Sequence, residues 1–188
     1  MKNLDVRISK FLSFILRHHP EKYNLKLDNN GYADLKTVLN ILSTQFKNEK
    51  ISKETVELII QNSKKTRFEI VEDKIRAFYG HSIDKKIDFK ETSAVPSKLY
   101  HGTTKKACKK ILQEGITKQN RQYVHLSDNV RDAVLVGKRR TPIPTILEID
   151  VIKAQESGIN FYKSGDMFLA DYIPPEFIRQ NKANADDS

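Results

Sequence analysis

One cysteine, no tryptophan, seven glycines and six prolines serve a chain of 188 residues, and each scarcity closes off a class of function. With Cys108 as the single thiol, no internal disulfide and no cysteine cage for zinc can form. Its position beside Ala107 on the inner side of a helix predicts a buried, inert side chain. No apolar run is long enough to cross a bilayer and no secretory signal is present, so the expectation is a cytoplasmic protein with no membrane partner. A P-loop, a Gly-rich dinucleotide fingerprint and a His-Glu-x-x-His helix are all missing. Any nucleotide is therefore held by something other than a Walker or Rossmann device. No catalytic carboxylate pair or metal-ligating cluster stands out, and no metal is expected. Internal repeats and low-complexity segments are absent as well.

What the chain has is positive charge. Lys and Arg number 33 against 24 Asp and Glu, a formal net charge of +9 with a pI of about 9.5. The excess is shared by both halves and is not confined to a tail, which favours an anionic partner. At 38% hydrophobic and 30% charged residues, the composition is that of a globular chain able to form one substantial domain or two small ones.

Leu4, Ile8, Phe11, Leu12 and Ile15 recur at the spacing of one apolar helix face. That helix ends at Arg17-His18-His19-Pro20, where proline prevents its continuation. The turn signal Asn29-Asn30-Gly31 precedes a short extended segment. A second helix runs through Leu35, Val38, Leu39 and Leu42. A third follows Ser52, a suitable N-cap, through Val56, Ile59 and Ile60. Arg67 to Ile70 and Ile75 to Tyr79 alternate around Glu72-Asp73-Lys74 as a hairpin. Three helices and a hairpin in this order predict a winged-helix lobe over residues 1–90, a shape suited to docking nucleic acid. The charged, irregular stretch 91–97 reads as a linker.

The second lobe, residues 98–180, is expected to be mostly β. Leu99-Tyr100 close a strand, His101-Gly102-Thr103-Thr104 turn the chain, and Lys105 to Glu114 form a helix through Ala107, Ile111 and Leu112. Gly115 is its left-handed stop. Tyr123 to Leu126 form a strand, and Asp128 to Val136 a short helix capped by Ser127 or Asp128. Gly137-Lys138-Arg139-Arg140 is a basic turn suited to phosphate, because guanidinium groups bind it bidentately. Thr145 to Val151 is a strand, and residues 160–162 and 167–169 are two more around Ser164-Gly165-Asp166. Pro174-Pro175 returns the chain to the core, and residues 181–188 are a polar tail. Imidazole, bare backbone and hydroxyl groups meet at His101-Gly102-Thr103 and again near His125 and Ser127. Such a set suits a polar, partly anionic ligand.

Taken together these words resemble the NAD-dependent RNA 2′-phosphotransferases, which remove the splice-junction 2′-phosphate from transfer RNA. The likeness covers roughly residues 3 to 178. It is carried by Leu16-Arg17-His18 with Pro20, Arg67-Phe68, Ile75-Arg76-Ala77 with Gly80-His81-Ser82, and His101-Gly102-Thr103. Arg121, Val124-His125-Leu126-Ser127, Gly137-Lys138-Arg139-Arg140, Leu147-Glu148-Ile149-Asp150 and Pro174-Pro175 complete it. The resemblance implies an α+β protein, with an N-terminal winged-helix lobe that grips RNA and a C-terminal ADP-ribosyltransferase-like lobe that binds NAD. It implies a catalytic tetrad of Arg17, His18, Arg67 and Arg121, with NAD, a consumed co-substrate, lined by His101, Gly102, Thr103, His125, Ser127 and Arg139. In the implied reaction the RNA 2′-phosphate displaces nicotinamide from NAD. A ribose hydroxyl then takes the phosphoryl group, leaving 2′-hydroxyl RNA and ADP-ribose 1″,2″-cyclic phosphate. A monomer is expected. The segments Ala77-Phe78-Tyr79-Gly80 and Ser164 to Leu169 depart from the family pattern, the first lacking a polar pair and the second being one residue shorter. Two other readings remain open: an ADP-ribosyltransferase acting on nucleic-acid phosphate ends or on protein, and a winged-helix nucleic-acid-binding protein without turnover.

Overall fold

The computed structural model of the chain describes residues 2–63 and 65–181; the expected tail, Asn181 apart, lies outside the described residues. The chain is α+β, as expected, and divides into two compact units, Met1–Asp88 and Phe89–Ser188.

In the first unit, α1 (Lys2–Arg17) buries Ile8, Leu12, Ile15 and Leu16, the inward stripe the spacing predicts. A 3-10 helix, Pro20–Tyr23, follows with Pro20 at its first position, where the missing N–H is no loss. The strand β1 (Tyr32–Asp34) leads into α2 (Leu35–Gln45), whose N-cap Asp34 accepts from the Thr37 N–H. Ser52 and Thr55 form a reciprocal capping box on α3 (Lys53–Gln61). The strands β2 (Phe68–Val71) and β3 (Lys74–Ala77) are an antiparallel hairpin, and β1 completes a sheet in the order β1-β3-β2. The hairpin turn is tighter than expected, with Glu72 at φ 53°. Helices and sheet enclose one core, in which Phe68, Ile75 and Ala77 meet Leu12, Val38 and Val56.

The second unit is built on three small antiparallel sheets. The strands β4 (Lys98–Thr103), β7 (Thr145–Asp150) and β11 (Ile178–Gln180) form one, ordered β11-β7-β4. The strands β6 (Val124–Leu126), β8 (Phe161–Ser164) and β9 (Met167–Ala170) form the second, ordered β6-β9-β8. The short pair β5 (Ile116–Thr117) and β10 (Tyr172–Ile173) is the third. The helices are α4 (Lys105–Glu114), α5 (Val130–Gly137) and α6 (Val151–Glu156). Glu148, on the central strand β7, accepts from Arg179 of β11, from the Lys98 Nζ of β4 at 3.0 Å and from the Asn181 amide at 3.2 Å. One buried carboxylate thus ties three adjacent segments.

Several expectations change here. His101-Gly102-Thr103 is not a turn: these residues pair with Leu147, Ile146 and Thr145 as the end of β4. The non-local ladder overrides the breaking tendency of glycine. Gly115 has the positive φ foreseen, 82°, but its ψ of 178° sends the chain directly into β5 and not through a left-handed stop. Asn129, not Ser127 or Asp128, caps α5, accepting from the Asp132 N–H at 2.8 Å. Ser127 is occupied by a backbone pairing with Tyr100. Gly137 closes α5 and does not open a loop, and Val151 begins α6, which the strand pattern concealed. Tyr123 precedes β6. The stretch 91–97 belongs to the second compact unit, where Glu91 bridges Tyr162 and accepts from the Asn160 amide at 2.7 Å. Cys108 is buried, as predicted, and burial pushes its thiol pKa up.

Candidate active site

Each unit carries a cluster of cations. In the first, α1 stops at Arg17, whose carbonyl accepts from the Ser82 N–H at 2.9 Å. Its guanidinium lies over the rings of Phe68 (5.3 Å) and Tyr79 (5.1 Å) and donates through Nη2 to the Arg67 carbonyl at 3.3 Å. His18, the next residue, shares a hydrogen bond between Nδ1 and Ser82 Oγ at 2.8 Å. Arg67 stands just ahead of β2, donating through Nη1 to Ser63 Oγ at 2.7 Å. The end of a helix and the start of a hairpin strand, fifty residues apart in sequence, thereby bring Arg17, His18 and Arg67 together. Aromatic faces on Arg17 fix a guanidinium without neutralising it.

Tyr79, Ser63 and Ser82 went unrecognised as supports. The segment Ala77 to Gly80, noted for its departure from the family pattern, places Tyr79 on Arg17. Only Ser82, two residues after the glycine in Gly80-His81-Ser82, carried any sequence signal.

In the second unit the site depends on two glycines. A Cβ on Gly102 would lie 2.0 Å from the Ala133 carbonyl oxygen and 3.0 Å from the Gly137 nitrogen. One on Gly137 would lie 2.5 Å from Pro144 Cβ. Bare backbone on both sides lets α5 lie flush on β4, and the turn after α5 carries Arg139 and Arg140. Gly102, expected to line a ligand, thus has a packing reason of its own. Arg140 lies close enough to His101 to disfavour its protonation, and Arg139 and Arg140 act likewise on Arg121.

His101 is half-buried on β4, and its Nδ1 lies 3.1 Å from the His125 carbonyl oxygen. A carbonyl only accepts, so Nδ1 carries the proton and Nε2 is the acceptor of the neutral ring. Burial lowers the His101 pKa first and the Arg140 charge adds to this, while the bond to His125 opposes them. Arg121 keeps exposed surface, yet partial burial of its guanidinium, then Arg139 and Arg140, hold its pKa below the usual arginine range. Paired backbone bonds of 2.8 and 2.9 Å between Tyr100 and Ser127 join β4 to the end of β6. That junction sets buried Ser127 and half-buried His125 near His101, while Thr103, also buried, ends β4. Of the expected ligand residues His101, His125 and Ser127 therefore fall at one junction, Gly102 and Thr103 follow His101 on β4, and Arg139 lies near Arg121. Arg140, beside both His101 and Arg121, is a member that the basic-turn motif contained but the expected NAD-lining set left out.

A cluster of three guanidiniums with a neutral imidazole is arranged for a polyanion carrying hydroxyl groups. Among the described residues no group of three or more His, Cys, Asp or Glu side chains is placed to hold a metal ion, and no helix is long and apolar enough to cross a membrane.

Comparison with known proteins agrees with the residue pattern. Residues 3–169 match the family described as RNA 2′-phosphotransferase, Tpt1 / KptA family. The chain is 43% identical to a probable RNA 2′-phosphotransferase of Bacillus thuringiensis subsp. konkukian, over 93% of this chain and 95% of that one. It is 42% identical to one of Acetivibrio thermocellus, over 92% and 95% of the two chains. A third, from Thermococcus kodakarensis, is 36% identical over 95% of this chain and 98% of its own. With a match of that extent, and with the arginines and histidines of the pattern gathered as described, the chain belongs to the Tpt1 / KptA family of RNA 2′-phosphotransferases.

Proposed function

We propose that this protein removes an internal 2′-phosphate from RNA, of the transfer-RNA splice-junction type, by passing it to NAD. The products are 2′-hydroxyl RNA, nicotinamide and ADP-ribose 1″,2″-cyclic phosphate. The observation that carries the reading is the Arg17 guanidinium bonded to the Arg67 carbonyl, with His18 next to Arg17 in the chain and held by Ser82, in a chain of this family. We read the first unit as a winged-helix lobe for RNA and the second as an ADP-ribosyltransferase-like lobe for NAD.

The residues of the second unit fit NAD by their chemistry. Arg121, Arg139 and Arg140 suit a pyrophosphate, and Thr103, Ser127 and the His101 and His125 rings suit ribose and amide groups. NAD, when bound, supplies an anomeric carbon bearing a cationic leaving group. Arg17 and Arg67 hold the RNA 2′-phosphate, which as a dianion is already nucleophilic and needs only orientation. His18, steadied by Ser82, exchanges a proton with the leaving or attacking oxygen of the second step. Arg121 cannot act as a base and serves as a charge clamp on the phosphoryl oxygens. The Nε2 of His101 accepts a ribose hydroxyl proton.

The test is to incubate the protein with NAD and a short RNA bearing one internal 2′-phosphate, following RNA mobility and nucleotide products together. Loss of the phosphate with appearance of the cyclic phosphate supports the proposal. RNA that gains and keeps ADP-ribose would assign the protein to ADP-ribosyl transfer instead, and RNA bound but unchanged would leave a binding module.

A further inference from the structure

The helix α4 carries charge in an arrangement that opposes its own formation. Lys105, Lys106, Lys109 and Lys110 are all exposed. At about 100° per residue they and Gln113 occupy one arc of about 140°, with no carboxylate inside it. Lys105 and Lys106 open the helix, its first turn holds no acidic residue, and the free N–H groups there already carry partial positive charge. Lys105–Lys109 and Lys106–Lys110 are like-charged neighbours one turn apart, which repel. Only Lys110 has an acidic partner among the described residues, Glu114 at 3.4 Å. By contrast α5 and α3 each place an acid in the first turn. Helix α4 is held by its opposite side, through buried Cys108 and half-buried Ile111, and by the Thr104 cap on Ala107.

Local frustration of this kind is relieved by a partner that supplies regularly spaced negative charge. The helix begins one residue, its Thr104 N-cap, beyond His101-Gly102-Thr103, so its first lysines start close to where the candidate site ends. We infer that the lysine face of α4 is a second RNA-contact surface, tracking the phosphodiester backbone of the strand. This rests on the reading of RNA as substrate. The face contributes affinity without sequence preference, since lysines bound to phosphates position a strand and carry no base information.

The test compares the full-length protein with K105Q/K106Q/K109Q/K110Q, in which Gln keeps helix propensity near that of Lys. A second variant, K90Q/K153Q/K163Q, removes exposed lysines elsewhere in the same unit. Fluorescence anisotropy is read without NAD on a labelled 12-nucleotide RNA with an internal 2′-phosphate, across a salt series. A 2′-phosphorylated dinucleotide is measured by competition. The α4 variant should melt no lower than wild type and bind the 12-mer at least about 10-fold more weakly at 50 mM salt. Its slope of log Kd against log salt should flatten by about 2 to 3, at about 0.7 for each single-strand phosphate that the variant leaves unneutralised. Dinucleotide binding should be unchanged. Equal 12-mer affinity and salt slope in wild type and α4 variant would overturn the inference. So would equal losses in the two lysine variants, which indicate bulk charge, or loss of the dinucleotide too. Failure of the wild type to remove the 2′-phosphate when NAD is added would count against the catalytic reading alone, since the anisotropy comparison needs no turnover.

Discussion

Partial burial of the Arg121 guanidinium, with two like charges, Arg139 and Arg140, within reach, holds its pKa below the usual arginine range. Arg121→Gln should lower kcat/KM by at least about 100-fold through loss of phosphoryl charge stabilisation. Turnover of a variant that calorimetry shows to be folded checks this, and an undiminished kcat/KM would contradict the assignment. His101 makes a second, pH-dependent statement. Its folded pKa lies below its ordinary value of about 6.5, so on acidification the unfolded chain binds a proton that the folded one resists. This contribution to stability is complete above about pH 6.5 and is lost as pH falls through the folded value. Urea midpoints at about pH 7.5 and 5.5, on either side of the ordinary histidine value, should show a drop in wild type that His101→Gln reduces. These residues were legible from the words around Arg17, Arg67, His101 and Arg121. Tyr79 and Ser63 were not, and Ser82 was legible only as part of a motif, because they act on partners through tertiary packing: His18 and Ser82 are 64 positions apart, and no periodicity spans that distance.

At the scale of elements, close approach decides what local pattern could not. The glycine of His101-Gly102-Thr103 reads locally as a turn, yet its role is to let α5 rest against β4. Gly102→Ala would force a Cβ against backbone atoms of Ala133, which cannot swing aside, and should cost about 1–3 kcal/mol or more in urea unfolding. Activity should fall as well, because the turn bearing Arg139 and Arg140 follows α5. Helix α6 was hidden for a related reason. Asp150 ends β7 and caps α6 at once, so strand and helix meet without a loop and Val151 extends the apolar run. The three segments joined at Glu148 give the element-scale acid response. Burial acts to raise its pKa, and hydrogen bonds from Arg179 and Lys98 more than offset this, so the net shift is downward. Its stabilisation is present above the ordinary carboxyl range near about pH 4.3 and lost as pH falls through the folded value. Glu148→Gln should remove about 1.5–3 kcal/mol at neutral pH and flatten the acid limb of the stability profile. An unchanged acid limb would show that other carboxylates dominate it.

Across the whole molecule, two units with separate cores each expose a cationic cluster, and the chain bears a net charge of +9. Helices α1 to α3 and the hairpin were readable because apolar spacing and caps agree within each. The β-rich second unit was less so, since its two-residue strands β5 and β10 exist only by pairing with each other. The proposed reaction requires both kinds of cluster, one for the RNA phosphate and one for NAD, and that requirement has a stoichiometric consequence. The most direct measurement follows nicotinamide release and loss of RNA 2′-phosphate in the same reaction, with NAD in excess. One nicotinamide per phosphate removed, and neither product when RNA or NAD is omitted, is the predicted result. Phosphate loss without NAD, or nicotinamide release that leaves the 2′-phosphate in place, would contradict it.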